Sequence, residues 1–288
     1  MDFVIFNIFA IFDTLSFFEE LFINKYLFNN KAQSINNYHV IFSVKFVDWF
    51  PYYQNIRQQF GYSTEKDQEA AYYLSRIIKR KALAPKVLHK KIAGKQVLVI
   101  GAGPSLEKNI IFIKKNSRKF VKIVSDGAVQ ALIENNIKPD IVVTDLDGNQ
   151  SFLQKAEKIG ALMVVHAHGD NIQILRKLVP RFRHIIGSTQ VMPVENVYNF
   201  GGFTDGDRSV FLAEEFGAKE IVLISMDFGV HIGKYSKEVV KNVELKKKKL
   251  RASKRLLEML AKQSRSRLFD TSKRPIRGFT GFYVHNNY

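Results

Sequence analysis

Two aspartates that directly follow a short apolar run are the residues best suited to chemistry in this 288-residue sequence. They lie in DIVVTDLDGNQ, residues 140–150. Successive side chains of a β-strand alternate between its faces, so Asp145 and Asp147 would point the same way if the strand continues that far. Each carboxylate then raises the cost of ionising the other, and a divalent cation or a bound proton relieves the repulsion. The competing interpretation is that both residues merely cap the next helix or turn.

A glycine-rich turn, GAGPSL at residues 101–106, follows another apolar run. It begins like the dinucleotide-binding fingerprint, but Leu106 stands where the third glycine is expected, which argues against a nicotinamide cofactor. Gly101 and Gly103 could still bring backbone amides close to a phosphate at a helix N-terminus, with Ser105 as cap or ligand. The alternative is an ordinary strand-to-helix turn. No G-x-x-x-x-G-K-[ST] motif occurs, so the sequence is not that of a P-loop enzyme.

Two further motifs place polar side chains after apolar runs. Asp126, in SDGA, stands ahead of a predicted helix and is either a site residue or a simple N-cap. In HAHGDN, His166 and His168 alternate on one face and Asp170 follows. This spacing suits a transition metal, but no third histidine accompanies it. Hydrogen bonding to a substrate or phosphate is therefore the favoured interpretation.

A second acidic pair occurs in NFGGFTDGDRS, residues 199–209. Asp205 and Asp207 are the oxygen ligands that a Mg²⁺–polyphosphate site would use, because Mg²⁺ prefers oxygen and bridges phosphate oxygens. Arg208 could then stabilise charge on the transferred group. The alternative is helix capping by Thr204 or Asp205.

These motifs, apart from the second acidic pair, stand at the carboxyl-terminal side of short β-branched runs, which alternate with stretches that can form helices. This alternation predicts an α/β fold with a mostly parallel, doubly wound sheet flanked by helices, and with helical segments at both ends. In open α/β sheets the ligand crevice lies outside the carboxyl ends of the strands. The polar residues that end these runs would all lie at one edge of the sheet. This placement favours a functional site, because residues that are polar only for contact with solvent would be scattered over both edges. The polar run ends are Gly101-Ala102-Gly103, Asp126-Gly127, Asp145 and Asp147, His166 and His168, Ser188-Thr189-Gln190, and Asp227.

Four segments are predicted along the chain. Residues 1–45 form an apolar extension whose interrupted hydrophobic run fits neither a membrane span nor a signal peptide. We interpret it as the product of a mis-assigned start codon, which mass spectrometry of the native N-terminus would test. Residues 46–92 show helical periodicity, residues 93–235 carry the α/β catalytic core, and residues 236–288 return to a basic helical pattern.

The composition is strongly basic and lacks cysteine. Lys and Arg number 44 against 27 acidic residues, and much of the excess, including Lys246 to Lys249, lies in residues 237–277. Such a run is usually a solvated helix face, and the alternatives are attraction of a polyphosphate substrate or binding of nucleic acid. Without cysteine, disulfides and thiolate metal sites are excluded, which fits a reducing cytoplasm. Any metal must be held by oxygen or imidazole.

Seven motifs, in order along the chain, resemble those of the archaeal 6-hydroxymethyl-7,8-dihydropterin pyrophosphokinases of the methanopterin type. The motifs are GAGPSL, SDGA, PDIVVTDLDG, HAHGDN, GSTQ, NFGGFTDGDR and MDFG. The resemblance spans residues 48–282, and TDLDG with FTDGDR is its specific part. The D-G-A, D-x-D and T-D elements are also similar to thiamine pyrophosphokinase. That distant likeness supports pyrophosphoryl transfer more than it fixes the acceptor.

The resemblance implies an enzyme that transfers diphosphate from ATP, its co-substrate, to the hydroxymethyl group of a reduced pterin, with Mg²⁺ as cofactor and AMP as product. It implies that Asp145, Asp147 and Asp126 hold the Mg²⁺. Arg208 would stabilise the negative charge on the transferred group, and one of the aspartates or His168 would serve as general base. The other residues implied to contact nucleotide, metal or pterin are Gly101, Gly103, Ser105, Gly127, Thr189, Gln190, Asp205 and Asp207.

Two other functional classes stay open at this point. In a nucleotide-sugar-dependent glycosyltransferase, a D-x-D motif would grip the diphosphate by the same physics. A basic nucleic-acid-binding module would leave the acidic strand ends without a purpose, because carboxylates repel phosphate unless a cation intervenes. The expected partners are therefore ATP and a reduced pterin, with no membrane and no nucleic acid. The oligomeric state stays open, a homo-oligomer included.

Overall fold

The computed structural model describes residues 46–229, 231, 233–236 and 242–284. The apolar extension predicted at residues 1–45 lies outside the described residues. Within these ranges, no helix combines the length and the apolar character that crossing a membrane requires.

Helices and short strands alternate along the described chain, as the sequence pattern predicts. The helices are α1 Phe46–Phe60, α2 Thr64–Ile78, α3 Lys86–Ile92, α4 Leu106–Lys115, α5 Val129–Glu134, α6 Gln150–Lys158, α7 Ile172–Leu178, α8 Asp205–Glu215 and α9 Val243–Leu260. The strands are β1 Gln96–Ile100, β2 Val121–Ser125, β3 Ile141–Thr144, β4 Leu162–Ala167, β5 Ile185–Thr189, β6 Val197–Tyr198, β7 Glu220–Ile224, β8 Arg267–Asp270 and β9 Thr280–Gly281.

The strands of the described residues form one sheet in the order β6-β5-β4-β3-β2-β1-β7-β8-β9, and each neighbouring pair is parallel. Strands β3, β4, β5 and β7 are buried along their whole length. Such burial is typical of a parallel sheet whose two faces are covered by helices. The predicted α/β fold with a doubly wound parallel sheet is therefore confirmed.

The direction in which strands are added to the sheet reverses between β1 and β7. The chain adds β2 to β6 successively on one side of β1, and then returns through α8 to place β7 on the other side. Ile100, the last residue of β1, consequently pairs with Val124 of β2 and with Ile224 of β7. In open α/β sheets the ligand crevice lies outside the carboxyl ends of the strands, near such a reversal.

The C-terminal segment begins with the expected basic helix α9, and then adds two strands that the sequence analysis did not include. β8 pairs with β7, and β9 pairs with β8. The connection between them is held by Asp270, whose carboxylate accepts hydrogen bonds from the amides of Ser272 and Ile276. β9 has only two residues, and β8, with the sequence RLFD, lacks the β-branched run that marks a central strand such as β3.

The carboxyl group of Glu215, in the last turn of α8, lies where its ionisation is unfavourable. Burial, and then the charge of Glu214, raises the pKa of Glu215 to about 7, and the negative end of the helix dipole acts in the same direction. The folded protein therefore binds this proton more tightly than the unfolded chain does. Stability is expected to fall as the pH rises from the unfolded pKa of about 4.3 to about 7.

Replacing Glu215 by Gln should raise the Tm at about pH 8, where the carboxylate is ionised, and leave it nearly unchanged at about pH 4. Thermal unfolding followed by circular dichroism at both pH values measures the difference. An equal shift at the two pH values would show that the effect does not come from ionisation.

Candidate active site

A cleft of about 870 Å³ lies at the carboxyl ends of the central strands. It is bounded by the loops after β1, β2, β3, β4, β5 and β7, by the connection between α1 and α2, by the start of α8, and by part of α9. The predicted site residues that line it are Gly101, Gly103, Asp126, Gly127, Asp145, Asp147, His168, Gln190 and Asp205. Four others that the structure also describes, Ser105, Thr189, Asp207 and Arg208, lie outside the lining.

Three of the lining aspartates form a compact group, here called the acidic cluster: Asp126, Asp145 and Asp147. One carboxylate oxygen of each lies within 4.8 Å of those of the other two. The sequence predicts a shared strand face for Asp145 and Asp147, but β3 already ends at Thr144 and Leu146 adopts a left-handed backbone with a φ of 70°. A tight turn, and not strand alternation, therefore brings the carboxylates together. Left-handed backbone at a buried leucine costs energy and is typical of functional sites.

Asp126 is the buried member of the acidic cluster, with 4% of its surface exposed. Its Oδ2 accepts hydrogen bonds from Thr144 Oγ1 at 2.5 Å and from the amide of Gly148 at 3.2 Å. Among the described residues its Oδ1 has no hydrogen-bond partner. Burial, and then the charge of Asp145, raises the pKa of Asp126 to about 7.

This environment fits a divalent cation. A buried carboxylate oxygen without a partner is costly, and a ligand that binds it removes that cost. The acidic cluster also offers carboxylate oxygens from three residues, which are the ligands that Mg²⁺ prefers.

Gly148 completes the acidic cluster for a steric reason. A Cβ at position 148 would lie 1.7 Å from Asp126 Oδ1. Any other residue would therefore displace the Asp126 carboxylate, so the sequence signal is D-x-D-G and not D-x-D alone.

Two residues after β4, His168 and Asn171, contact Asp145. His168 Nε2 lies 3.6 Å from Asp145 Oδ2. The side-chain amide of Asn171 donates to the Asp145 carbonyl at 3.0 Å and to the His166 carbonyl at 2.7 Å. Because the amide of Asp170 donates to His168 Nδ1 at 3.4 Å, the neutral ring carries its proton on Nε2, which faces Asp145. His168 is thus placed to orient Asp145, and its predicted role as general base has no support from this geometry.

The glycine turn after β1 is closed around the loop after β7. The amides involved are Gly101 N, bonded to Ile224 O at 3.0 Å, Gly103 N, bonded to Ser225 O at 2.8 Å, and Ser105 N, bonded to Asp227 Oδ2 at 2.8 Å. A Cβ at Gly103 would lie 2.4 Å from the Asp227 carboxylate. The predicted binding of phosphate by these amides is therefore not supported, because their donors are used and glycine is needed for close packing.

The second acidic pair is divided between two environments. Asp205 lines the cleft, and burial together with the charge of Asp145 raises its pKa well above the ordinary value. Asp207 is fully buried and forms a capping box with Thr204 at the start of α8. It also accepts a hydrogen bond of 2.8 Å from Ser253 of α9. Helix capping therefore accounts for Asp207, and the predicted substrate contact is left to Asp205.

Arg208 is buried behind the glycine loop, with 1% of its surface exposed. Its Nη1 donates to the Gly201 carbonyl at 3.1 Å, and its Nη2 donates to the Phe203 carbonyl at 3.3 Å. The predicted charge clamp is not supported by this position, because the guanidinium holds the loop. Thr189 is likewise fully buried, and its hydroxyl lies 3.4 Å from the amide of Val191.

Asp67, on α2, lines the cleft and was not identified from the sequence. Its Oδ1 accepts from the amide of Gly169 at 2.8 Å. Its Oδ2 accepts from Tyr53 at 3.0 Å and from Gln190 at 2.7 Å. The N-terminal helices are thus bonded to the loops after β4 and β5. A signal was present, since Asp67 falls at helical spacing on the apolar face of α2.

Comparison with known proteins agrees with the motifs. Residues 71–233 match the family described as MptE-like 6-hydroxymethylpterin diphosphokinase. A protein of Methanocaldococcus jannaschii named 6-hydroxymethyl-7,8-dihydropterin pyrophosphokinase is 42% identical over 227 residues, which cover 74% of this chain and 94% of that protein. The protein of the same name from Pyrococcus furiosus is 44% identical, over 80% of this chain and 100% of its own length. The protein of the same name from Methanothermobacter thermautotrophicus is 38% identical, over 76% of this chain and 97% of its own length.

Among solved structures, the MAf glycosyltransferase from Magnetospirillum magneticum AMB-1 aligns with a TM-score of 0.46 and 16% identity, over 73% of this chain and 38% of that one. A likeness at this level carries no argument about function.

Proposed function

This chain belongs to the MptE-like family of 6-hydroxymethylpterin diphosphokinases, and we propose that it transfers the β,γ-diphosphate of ATP to the hydroxymethyl group of 6-hydroxymethyl-7,8-dihydropterin. AMP is the second product. The names of the curated relatives support the acceptor. The product would serve pterin biosynthesis of the tetrahydromethanopterin or tetrahydrofolate type. The single observation that carries the proposal is the acidic cluster at the carboxyl ends of the neighbouring strands β2 and β3.

The reaction joins the hydroxymethyl oxygen of the pterin to the β-phosphorus of ATP. The bond from that phosphorus to the oxygen bridging to the α-phosphorus breaks, that oxygen leaves with AMP, and the hydroxyl proton is released to solvent. Because such transfers pass through a loose transition state, positioning and charge neutralisation supply most of the catalysis. A strong general base is therefore not required, which agrees with the placement of His168 toward Asp145.

In this proposal, the acidic cluster holds Mg²⁺ in the cleft. When bound, the ion neutralises charge on the phosphate oxygens and fixes the diphosphate for transfer. Leu146 and Gly148 set the directions of the three carboxylates, and His168 orients Asp145. Asp205 and Gln190 also line the cleft and are proposed to contact the substrates.

Incubation with ATP, Mg²⁺ and 6-hydroxymethyl-7,8-dihydropterin, followed by chromatographic separation of the products, tests the proposal. We expect AMP and a diphosphorylated pterin in equal amounts, and neither product when EDTA replaces Mg²⁺. Formation of ADP would instead indicate a simple kinase. Formation of neither product would contradict the proposal and favour nucleotide-sugar transfer or a binding function.

A further inference from the structure

The basic run on α9 is divided by helical spacing into cleft-facing and outward-facing lysines. Lys246 and Lys249, three residues apart, line the cleft. Lys247 instead forms an ion pair of 2.8 Å with Glu244 on the same helix, and Lys248 is exposed. The run is therefore not a uniformly solvated face, since two of its four ammonium groups belong to the cleft.

Lys249 lies against two aromatic side chains in the cleft. Its Nζ lies 5.7 Å from the centroid of the Tyr62 ring and 5.8 Å from that of the Phe203 ring. Phe60 stacks on Tyr62 at 5.9 Å and packs against Phe203 at 5.0 Å. Cation–π contacts of this kind fix the ammonium without neutralising its charge. Among the described residues no carboxylate forms an ion pair with Lys249.

The charge balance of the cleft favours a cationic group near the phosphates. A nucleoside triphosphate brings several negative charges into a cleft that already contains the acidic cluster and Asp205, and a divalent cation offsets only part of them. Arg208 is buried outside the cleft lining, and its Nη1 and Nη2 donate to the loop carbonyls of Gly201 and Phe203. Among the described lining residues, the lysine and arginine side chains are Lys66, Lys246 and Lys249.

We infer that Lys249 binds the β,γ-diphosphate of the nucleotide, the part that is transferred, through charge-assisted hydrogen bonds from its ammonium group. This inference rests on the proposed function, and it moves the charge-clamp role from Arg208 to α9. Tyr62 and Phe203 hold the ammonium group in position. The phosphate-binding group is therefore the Lys249 ammonium, packed against these two aromatic rings.

The test compares Lys249→Met with Lys248→Met, because both variants remove one lysine charge from adjacent positions of the same helix. Calorimetric titrations use Mg²⁺ with α,β-methylene-ATP, in which the bond that would break is blocked, and separately AMP. We expect Lys249→Met to weaken binding of the ATP analogue by about tenfold or more, and to leave AMP binding nearly unchanged. Lys248→Met should match the wild type with both ligands. Lys249→Arg should restore most of the affinity for the analogue.

Failure of the inference about Lys249 can be distinguished from failure of the proposed function. If wild-type protein forms AMP and diphosphorylated pterin but Lys249→Met binds the analogue as tightly as the wild type, this inference is wrong and the proposed function stands. Equal weakening of analogue and AMP binding would also overturn it, because the lysine would then act on the nucleoside end. If the wild type forms no product and binds no analogue, the proposed function and this inference fail together.

Discussion

Replacing Asp147 by Asn is expected to lower kcat by about a thousandfold or more while leaving the fold intact. Asp147 is exposed, so the substitution removes a charge without disturbing buried packing. The loss of one carboxylate from the acidic cluster should weaken the cation site on which positioning of the diphosphate depends. The rate of AMP release measures the loss, and the circular dichroism spectrum and Tm should match those of the wild type.

Asp170→Asn is the matched control for this variant. Asp170 is exposed and lines the same cleft, but it is not a member of the acidic cluster. Its replacement should leave activity close to that of the wild type. Wild-type turnover in Asp147→Asn, or an equal loss in both variants, would remove the metal role assigned to Asp147.

Replacing Gly148 by Ala is expected to reduce activity by about a hundredfold without altering any ionisable group. The new Cβ would lie 1.7 Å from Asp126 Oδ1, so the carboxylate must move out of the acidic cluster. The free energy of unfolding should also fall, because Asp126 would lose its hydrogen bonds from Thr144 and from the amide of Gly148. Steady-state kinetics and urea denaturation measure the two effects.

Gly229→Ala is the control for the added methyl group. Gly229 is next to a lining residue, Phe228, and a Cβ there would meet no atom of the described residues within 4 Å. Full activity is expected in that variant. If Gly148→Ala is also fully active, the position of the Asp126 carboxylate does not matter to catalysis, which would contradict the site as described.

The edge of the sheet that carries the site could be predicted from the sequence, because parallel strands all present their carboxyl ends together. Asp126, Asp145 and Asp147 each follow a buried run, so neighbouring strands bring them close without any knowledge of side-chain detail. Their convergence still depends on the left-handed backbone at Leu146. No local pattern predicts that conformation for a leucine.

Roles that depend on tertiary contacts could not be predicted. Asp205 and Asp207 look alike in the sequence, yet one lines the cleft and the other caps α8, because the N3 position of a helix faces back to its N-cap. The amides of the glycine turn are bonded to the loop after β7, more than a hundred residues later in the chain. Lys249 reaches the cleft only because α9 crosses near the connection between α1 and α2.

Binding of Mn²⁺, used as a paramagnetic probe for Mg²⁺ and followed by electron paramagnetic resonance, tests most directly whether the acidic cluster is a divalent-cation site. In the presence of α,β-methylene-ATP, we predict a Mn²⁺ signal that Mg²⁺ displaces. It should be retained in Asp170→Asn and Gly229→Ala, and lost or strongly weakened in Asp147→Asn and Gly148→Ala. Unchanged Mn²⁺ affinity in the last two variants would contradict the account, because the cation would then bind elsewhere.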